Sequence, residues 1–313
     1  MSRTRTLAAA AALSAASLLL ALFACGEPLS TIVPDADLAR AGFDAPGTHR
    51  IYGTPAKVGN GTVRTYIVLD ERDGGAPIEV GVAMTEGALE GLPAPMPMPP
   101  GNGGGHEHLD SHVYDLALPA NNPTPYAFVE LDWNPGGHEP PGIYDHPHFD
   151  FHFYTVDEAV RDAIDPWLLG EAAYQAKAET LPPEAQRAPY YVPLAPPGAP
   201  VMAVPRMGVH WSDVRSPELQ GLLGNPDGFR PFTTTFIHGS WDGRFIFDEP
   251  MVTRAFILGR KAATAPAQRD SVISLPLAPS RVPAGFYPGA YRVAYDAQAK
   301  EYRVALTALA WRD

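Results

Sequence analysis

The chain has 313 residues, with 23 lysines and arginines against 35 aspartates and glutamates, and therefore a net charge of −12. This acidic balance provides no basic field for a phosphate backbone, so it argues against a nucleic-acid partner. With 29 glycines and 35 prolines, many turns and few long helices are expected. The single cysteine cannot build a cysteine-rich metal site, so any metal has to be bound by His, Asp or Glu.

The N-terminus carries an export pattern. Arg3 and Arg5 precede an apolar run over residues 7–23, which is short for a bilayer span and typical of a signal peptide. The run ends at Leu22-Phe23-Ala24-Cys25, which resembles the bacterial lipobox, where the peptide is cut before a cysteine that then receives lipid. We therefore predict removal of residues 1–24, lipid attachment at Cys25, and a location in the bacterial cell envelope, anchored to the outer or cytoplasmic membrane. The alternative is a buried free cysteine after an ordinary signal peptide.

The segment after the signal is predicted to be a flexible tether over residues 25–48, because it is rich in Pro, Asp and Ala and has little periodicity. Residues 49–313 are predicted to form a single domain. Its first half alternates β-prone runs with turn residues, including Asp73-Gly74-Gly75 between the first two runs. Strands are predicted over residues 62–69, 78–84, 109–118, 126–133 and 146–154.

The second half of the domain mixes helices with strands. Thr155 and Glu158 form a capping-box pattern, which predicts a helix that ends before Pro166, and a second helix is predicted over residues 171–180. Strands are predicted over residues 207–211, 233–241, 244–258, 291–295 and 302–306. Because strands outnumber helices, the predicted fold class is mainly β (a β-rich α+β fold), as one sandwich- or barrel-like domain with a few short helices.

The histidines are concentrated in one part of the chain. Seven of ten lie between His106 and His152, where the pattern H-x-H-x-D-x-H occurs twice. On a strand, the four polar residues of each set lie on one face, and neighbours on that face are roughly 7 Å apart. Adjacent members can therefore share a metal, with a further ligand from a neighbouring strand. The sets are His106, His108, Asp110 and His112, and then His146, His148, Asp150 and His152.

The second set is the better candidate, because Phe149, Phe151 and Phe153 occupy the opposite face and are predicted to anchor it in the core. Which adjacent pair chelates stays open: His146 with His148, His148 with Asp150, or Asp150 with His152. If the two strands pair, the first set supplies the remaining ligand. The alternative is a hydrogen-bonded polar cluster without metal.

Three further residues are candidates outside the repeated pattern. His138 lies in a Gly/Pro loop that leads into the second set, His210 lies beside Trp211, and Glu249 is an acid within an apolar run. A buried acid normally needs a cation or a hydrogen-bond donor. Taken alone, His138 and His210 are interpreted by default as hydrogen-bonded core histidines, and Glu249 as a glutamate in an ion pair or hydrogen bond. The predicted metal ligands are His148, His152, His210, His112 and His138, with Asp150 and Glu249 as proton-handling catalytic groups or additional ligands.

Several segments resemble an uncharacterised family of exported bacterial proteins, a domain of unknown function that is also found in Thermus. The resemblance places His148, Asp150, His152, His210 and Glu249 in recurrent motifs of that family, and implies no activity. The segments that carry it are residues 81–93 (GVAMTEGALEGLP), 108–119 (HLDSHVYDLALP), 133–154 (WNPGGHEPPGIYDHPHFDFHFY), 207–211 (MGVHW) and 235–253 (TFIHGSWDGRFIFDEPMVT).

Two classes of function follow from this pattern. The first is a lipid-anchored envelope protein with a His/Asp/Glu site for a divalent metal (Zn²⁺, Mn²⁺, Fe²⁺, Ni²⁺ or Cu²⁺), acting as a metal-dependent hydrolase or oxygenase on a small molecule. The second is a non-catalytic binding or self-assembly module whose histidines form a polar network without metal. Metal storage or delivery is a third. Beyond the membrane, the partner left open by the sequence is a second copy of the chain.

Overall fold

The computed structural model describes residues 46–95, 111–193, 195 and 199–313, and these form two antiparallel sheets that pack as a sandwich. The strands of the first sheet are β1 (Thr48–Tyr52), β2 (Ala56–Val58), β3 (Gly61–Asp70), β4 (Ala76–Thr85), β12 (Asp270–Ser274), β13 (Gly285–Asp296) and β14 (Glu301–Arg312). The strands of the second are β5 (His112–Ala117), β6 (Phe128–Asn134), β7 (His148–Tyr154), β8 (Tyr191–Pro193), β9 (Val209–Asp213), β10 (Thr234–Trp241) and β11 (Arg244–Thr253). The predicted mainly-β, sandwich-like fold is confirmed.

The strand order explains which parts of the chain meet. The first sheet runs β1-β3-β4-β14-β13-β12, with β2 paired to β3, and the second runs β5-β6-β7-β11-β10-β9-β8. The hairpins predicted on either side of Asp73-Gly74-Gly75 and near the C-terminus are present as β3–β4 and β13–β14. In the second sheet, β7 lies between β6 and β11, so residues far apart in sequence become its neighbours.

The main core lies between the two sheets. Phe149, Phe151 and Phe153 of β7 are completely buried, as their alternation predicts. Tyr126 contacts Phe153 and also Tyr287 of β13, which joins the inner face of the second sheet to the first sheet. Because residues alternate along a strand, the polar residues of β7 point to the outer face of the second sheet, away from the first.

The helices are short: α1 (Glu158–Asp162), α2 (Pro166–Leu169), α3 (Glu171–Glu179), α4 (Arg254–Ala262) and α5 (Pro266–Arg269). The helix predicted over residues 171–180 is confirmed by α3, but the predicted capping box is wrong. Thr155 Oγ1 donates to the Ile246 carbonyl at 3.2 Å, so it anchors the chain to β11 instead of capping α1. Among the residues described, we find no helix with the length and apolar character needed to span a membrane.

The strand predicted over residues 244–258 ends early. β11 stops at Thr253, and α4 begins at the next residue. The Thr253 hydroxyl accepts a hydrogen bond from the Phe256 amide at 3.2 Å, which makes Thr253 the N-cap of α4. Periodicity alone does not separate a short apolar strand from the first turns of a helix, and here the cap decides.

Replacing Thr253 with alanine is expected to lower the free energy of unfolding by about 1 kcal/mol, because a helix N-cap hydrogen bond is lost. Thr62→Ala, on an exposed position of β3, is the control and should change it by less than about 0.5 kcal/mol. Urea unfolding of the full chain measures both. Equal losses in the two variants would show that the cap contributes nothing.

Candidate metal centre

The outer face of the second sheet carries a row of polar side chains from three adjacent strands. On β7 these are His148, Asp150 and His152, and β6 places Asn134, Asp132 and Glu130 opposite them, in that order. On β11, Met251 pairs with Asp150 and Phe247 with Tyr154, so Glu249 lies opposite His152. The register of the sheet thus brings two histidines and five polar or acidic residues together.

The first group consists of His152, His210 and Glu249, each of which offers a ligand atom within 4.8 Å of the others. His152 Nε2 lies 3.5 Å from Glu249 Oε1, and His210 Nε2 lies 4.0 Å from Glu249 Oε2. On its other side, His152 Nδ1 lies 3.6 Å from Asp132 Oδ2. Neither ring nitrogen of His152 makes a hydrogen bond, although the residue is completely buried.

Burial sets the protonation of this group in the metal-free protein. It lowers the pKa of His152 to about 3 and that of His210 to about 4, so both imidazoles are neutral near pH 7. Burial, reinforced by neighbouring acids, also raises the pKa of Glu249 and of Asp132 well above their usual range. Both oxygens of Asp132 and one of Glu249 have no hydrogen-bond partner, so several buried polar atoms of this group are left unsatisfied.

The second group consists of His138, His148 and Asp150. His148 Nε2 lies 3.1 Å from Asp150 Oδ1, and His138 Nε2 lies 3.4 Å from Asp150 Oδ2. Although burial acts to raise it, the neighbouring His148 and His138 imidazoles hold the pKa of Asp150 well below its usual range. The two groups therefore differ: Asp150 favours its anionic form, whereas Glu249 does not.

Neighbouring polar groups orient the second group. His148 Nδ1 lies 2.6 Å from the His146 carbonyl, which can only accept, so Nδ1 donates this hydrogen bond and Nε2 is directed at Asp150. Asn134 Nδ2 donates to Asp150 Oδ2 at 2.7 Å. Each hydrogen bond fixes the rotation of one side chain, which is the role that outer-sphere partners have around metal ligands.

Glu130 lies close to Asp132 and His152, but it is already paired with cations. Its Oε2 accepts hydrogen bonds from Arg161 Nη1 and, at 3.0 Å, from Arg206 Nη2. Arginine thus balances the charge of Glu130, and the acid available beside His152 is Asp132.

Aromatic side chains and a loop cover the centre. His138 comes from the segment between β6 and β7, and its ring lies 4.7 Å from that of His148, while Phe232 packs 5.4 Å from the same ring. The side chains of His138 and His210 are 13% and 20% exposed, whereas those of His148, Asp150, His152 and Glu249 are at most 2% exposed. Solvent therefore reaches the centre on the side of His138 and His210.

Gly239 makes room for an aromatic wall of the first group. A Cβ atom there would lie 1.9 Å from Phe247 Cε1, and the Phe247 ring packs 4.8 Å from His152 and 5.5 Å from His210. We expect Gly239→Ala to displace Phe247, cost about 1–3 kcal/mol of stability through overpacking, and weaken metal binding. Gly136→Ala, where a Cβ meets nothing within 4 Å, is the control. Unfolding and metal titration of both variants provide the measurement, and equal affinities would contradict the assigned role of Phe247.

The structure brings six predicted site residues together, but as two groups. His148, Asp150 and His138 form one, and His152, His210 and Glu249 form the other. His112 lies elsewhere: it pairs with Trp133, a residue of the inner face, and its Nε2 lies 3.2 Å from the Ala94 carbonyl. Of the first H-x-H-x-D-x-H set only His112 is described, and its strand β5 does not pair with β7, because β6 lies between them; the condition under which the first set supplies a ligand is therefore not met at His112. Cys25, His106, His108 and Asp110 lie outside the described residues.

Asp132 and Asn134 were not among the predicted site residues. The signal that points to them is the alternation in FVELDWN, residues 128–134, which places Glu130, Asp132 and Asn134 on one face of a strand. Buried polar side chains need hydrogen-bond or ionic partners. Three of them at every second position of a completely buried strand therefore predict polar neighbours on the adjacent strands.

The model of a family described as "TTHB210-like: Hypothetical protein TTHB210" matches residues 73–133. This confirms the predicted resemblance to an uncharacterised family found in Thermus. The matched span runs from the turn before β4 to the end of β6, and so includes Asp132 but ends before the polar residues of β7. No curated protein and no solved structure matches the chain.

Proposed function

We propose that the protein binds a divalent transition metal through His152, His210 and Glu249, and that this metal serves a hydrolytic reaction. The observation that carries the proposal is His152, a completely buried imidazole that lies between Glu249 and Asp132 with no hydrogen bond to either nitrogen. An unpaired buried polar group costs about 1–3 kcal/mol, and this centre contains several. A cation bound to Nε2 would be the missing partner of that nitrogen, and Nδ1 would then carry the proton and face Asp132.

The separations in the group suit a metal. Ligand atoms held about 2.1 Å from a tetrahedral ion lie roughly 3.4 Å apart. The observed 3.5 Å from His152 to Glu249 and 4.0 Å from His210 to Glu249 need only small adjustments. With Nε2 on the metal, His152 Nδ1–H is directed at Asp132 Oδ2, the carboxylate–histidine–metal arrangement that orients a ligand.

Three protein ligands support a catalytic rather than a structural site. Structural zinc sites close all four positions with side chains, whereas catalytic ones keep a position open. The open position here lies on the side of His210, the partly exposed ligand. A metal in such a site lowers the pKa of bound water and polarises a carbonyl or phosphoryl oxygen, which is the basis for proposing hydrolysis.

Metal content tests the proposal. The full chain, purified without an affinity tag, is expected to contain at least one equivalent of Zn²⁺, Mn²⁺, Fe²⁺, Ni²⁺ or Cu²⁺. His152→Asn should remove the equivalent bound by this group, and His112→Asn, on the inner face and away from the two groups, should remove none. Less than about a tenth of an equivalent in the wild type, with no thermal shift on adding Zn²⁺ or Mn²⁺, would overturn the proposal and favour a non-catalytic polar network.

We further propose that the protein is exported and held at the envelope by lipid on Cys25, on the strength of the signal pattern and lipobox at its N-terminus. Cys25→Ser is then expected to abolish labelling by radioactive palmitate and to release the protein from membranes of the expressing bacterium. Membrane retention of the variant equal to that of the wild type would contradict the anchor.

A further inference from the structure

We infer that His138, His148 and Asp150 form a second metal position, so that the centre binds two ions rather than one. This inference rests on the proposed function of the first group. The two positions repeat one chemistry: each offers two imidazoles and one carboxylate, with ligand atoms within 4.8 Å of one another. Asp150 and His152, one from each group, are successive residues on the same face of β7, so the positions are adjacent.

Like the first position, the second has buried ligand atoms without hydrogen bonds. His148 Nε2 lies 3.1 Å from Asp150 Oδ1, and neither of these buried atoms makes a hydrogen bond. The other Asp150 oxygen faces His138 at 3.4 Å. The His146 carbonyl orients His148 and the Asn134 amide orients Asp150.

Two ions at this centre would carry more charge than its acids can balance. Asp132, Asp150 and Glu249 are buried side by side, and within the described residues none of them ion-pairs with a lysine or arginine. Two divalent ions carry four positive charges, which three carboxylates do not balance even when all of them are ionised.

The residual positive charge defines the ligand. It faces the side where His138 and His210 are partly exposed, one residue from each position. A small oxyanion is the ligand that this charge selects, since its negative oxygens would neutralise the excess. Two-metal centres stabilise the attacking and leaving oxygens of a displacement in this way, so the substrate class is a phosphate ester.

Titration with Co²⁺ alone tests the second position. The full chain, stripped with a chelator, is expected to bind two equivalents, seen as two steps in the visible absorption of Co²⁺. His148→Asn and His210→Asn should each bind one, and His112→Asn should bind two. Far-UV circular dichroism checks the fold, and His138→Asn, a partly exposed position outside the sheet, replaces His148→Asn if that variant does not fold.

The outcomes separate the two proposals. One equivalent in the wild type, unchanged in His148→Asn, overturns the second position and leaves the first intact. No binding in the wild type overturns both. Inorganic phosphate is expected to change the Co²⁺ spectrum of the two-metal wild type and not that of His148→Asn, and an equal change in both would overturn the oxyanion assignment.

Discussion

Replacing Glu249 with glutamine is expected to weaken metal binding by more than about 100-fold, since loss of an outer-sphere partner alone costs about 10–100-fold and Glu249 is a ligand. The same substitution should not destabilise the metal-free protein. Burial and nearby acids raise the pKa of Glu249, so its ionised form is unfavourable without metal, and glutamine has the same shape without the charge. Above neutral pH the metal-free variant should be more stable than the wild type by about 1 kcal/mol, since one unit of pKa shift corresponds to about 1.4 kcal/mol.

Glu130→Gln is the matched control, because Glu130 is an equally buried glutamate on the same face. It accepts hydrogen bonds from Arg161 and Arg206, so removing its charge leaves a buried arginine without a carboxylate partner at that position. We expect a loss of about 1–3 kcal/mol with and without metal, because hydrogen bonds to two guanidinium groups are weakened while Arg161 keeps Asp115 and Asp162 as partners, and little change in metal affinity. Chelator competition and urea unfolding measure both variants. A Glu249→Gln protein that binds metal within about threefold of the wild type, or that is destabilised like Glu130→Gln, would contradict the assignment of Glu249 as a ligand.

Glu130 and Glu249 differ in the side chains that face them. Both are buried acids in apolar strands, and composition does not separate them. Glu130 faces guanidinium groups, whereas Glu249 faces neutral imidazoles of low pKa. The first is a structural ion pair, whereas no lysine or arginine of the described residues pairs with the second, so the two acids differ in the partner across the sheet.

Local periodicity predicted the part of the site that one strand determines. The alternation of His148, Asp150 and His152 with three phenylalanines placed the polar row on one face, and the structure has it there. The sequence also singled out His210 and Glu249, although it could not place them. They reach His152 because β11 lies beside β7 and β9 lies two strands further, pairings that depend on tertiary contacts.

For the same reason, the repeated H-x-H-x-D-x-H pattern could not decide whether its two copies meet. Pairing depends on which hydrophobic faces pack together, and β6 lies between β5 and β7. Asp132 was overlooked because its alternation with Glu130 and Asn134 indicates a polar face of one strand, but not which residues face it on the next. The end of β11 was misplaced because the residues of α4 are as apolar as a strand, and a hydroxyl cap at Thr253 marks the boundary.

Metal is expected to stabilise the protein more strongly as the pH rises. In the metal-free protein, Asp132 and Glu249 have raised pKa values and hold protons that a metal must displace. His152 and His210, with pKa values of about 3 and 4, are already neutral and offer no such competition near pH 7. Each displaced proton makes the affinity up to about tenfold higher per pH unit, or about 1.4 kcal/mol.

The stability of the metal-free protein should have a maximum at mildly acidic pH. The two histidines have folded pKa values below the unfolded value of about 6.5, so the unfolded state binds more protons below that pH and stability falls as the pH drops towards about 4. The two acids have folded pKa values above the unfolded value of about 4, so the folded state binds more protons and stability falls as the pH rises through the raised values. A bound metal removes the loss on the alkaline side, because it replaces the protons.

Thermal unfolding with and without Zn²⁺, at about pH 6 and about pH 8, measures this difference. At a free metal concentration near 1,000 times the dissociation constant, the stabilisation is about 4 kcal/mol, or a rise of roughly 8–16 °C in Tm. The rise should be largest at the higher pH and should be smaller in Glu249→Gln, which loses the ion bound by the first group. A shift that is constant or larger at the lower pH would mean that the metal does not displace these protons, and Glu249 would then have to be excluded from the ligand set.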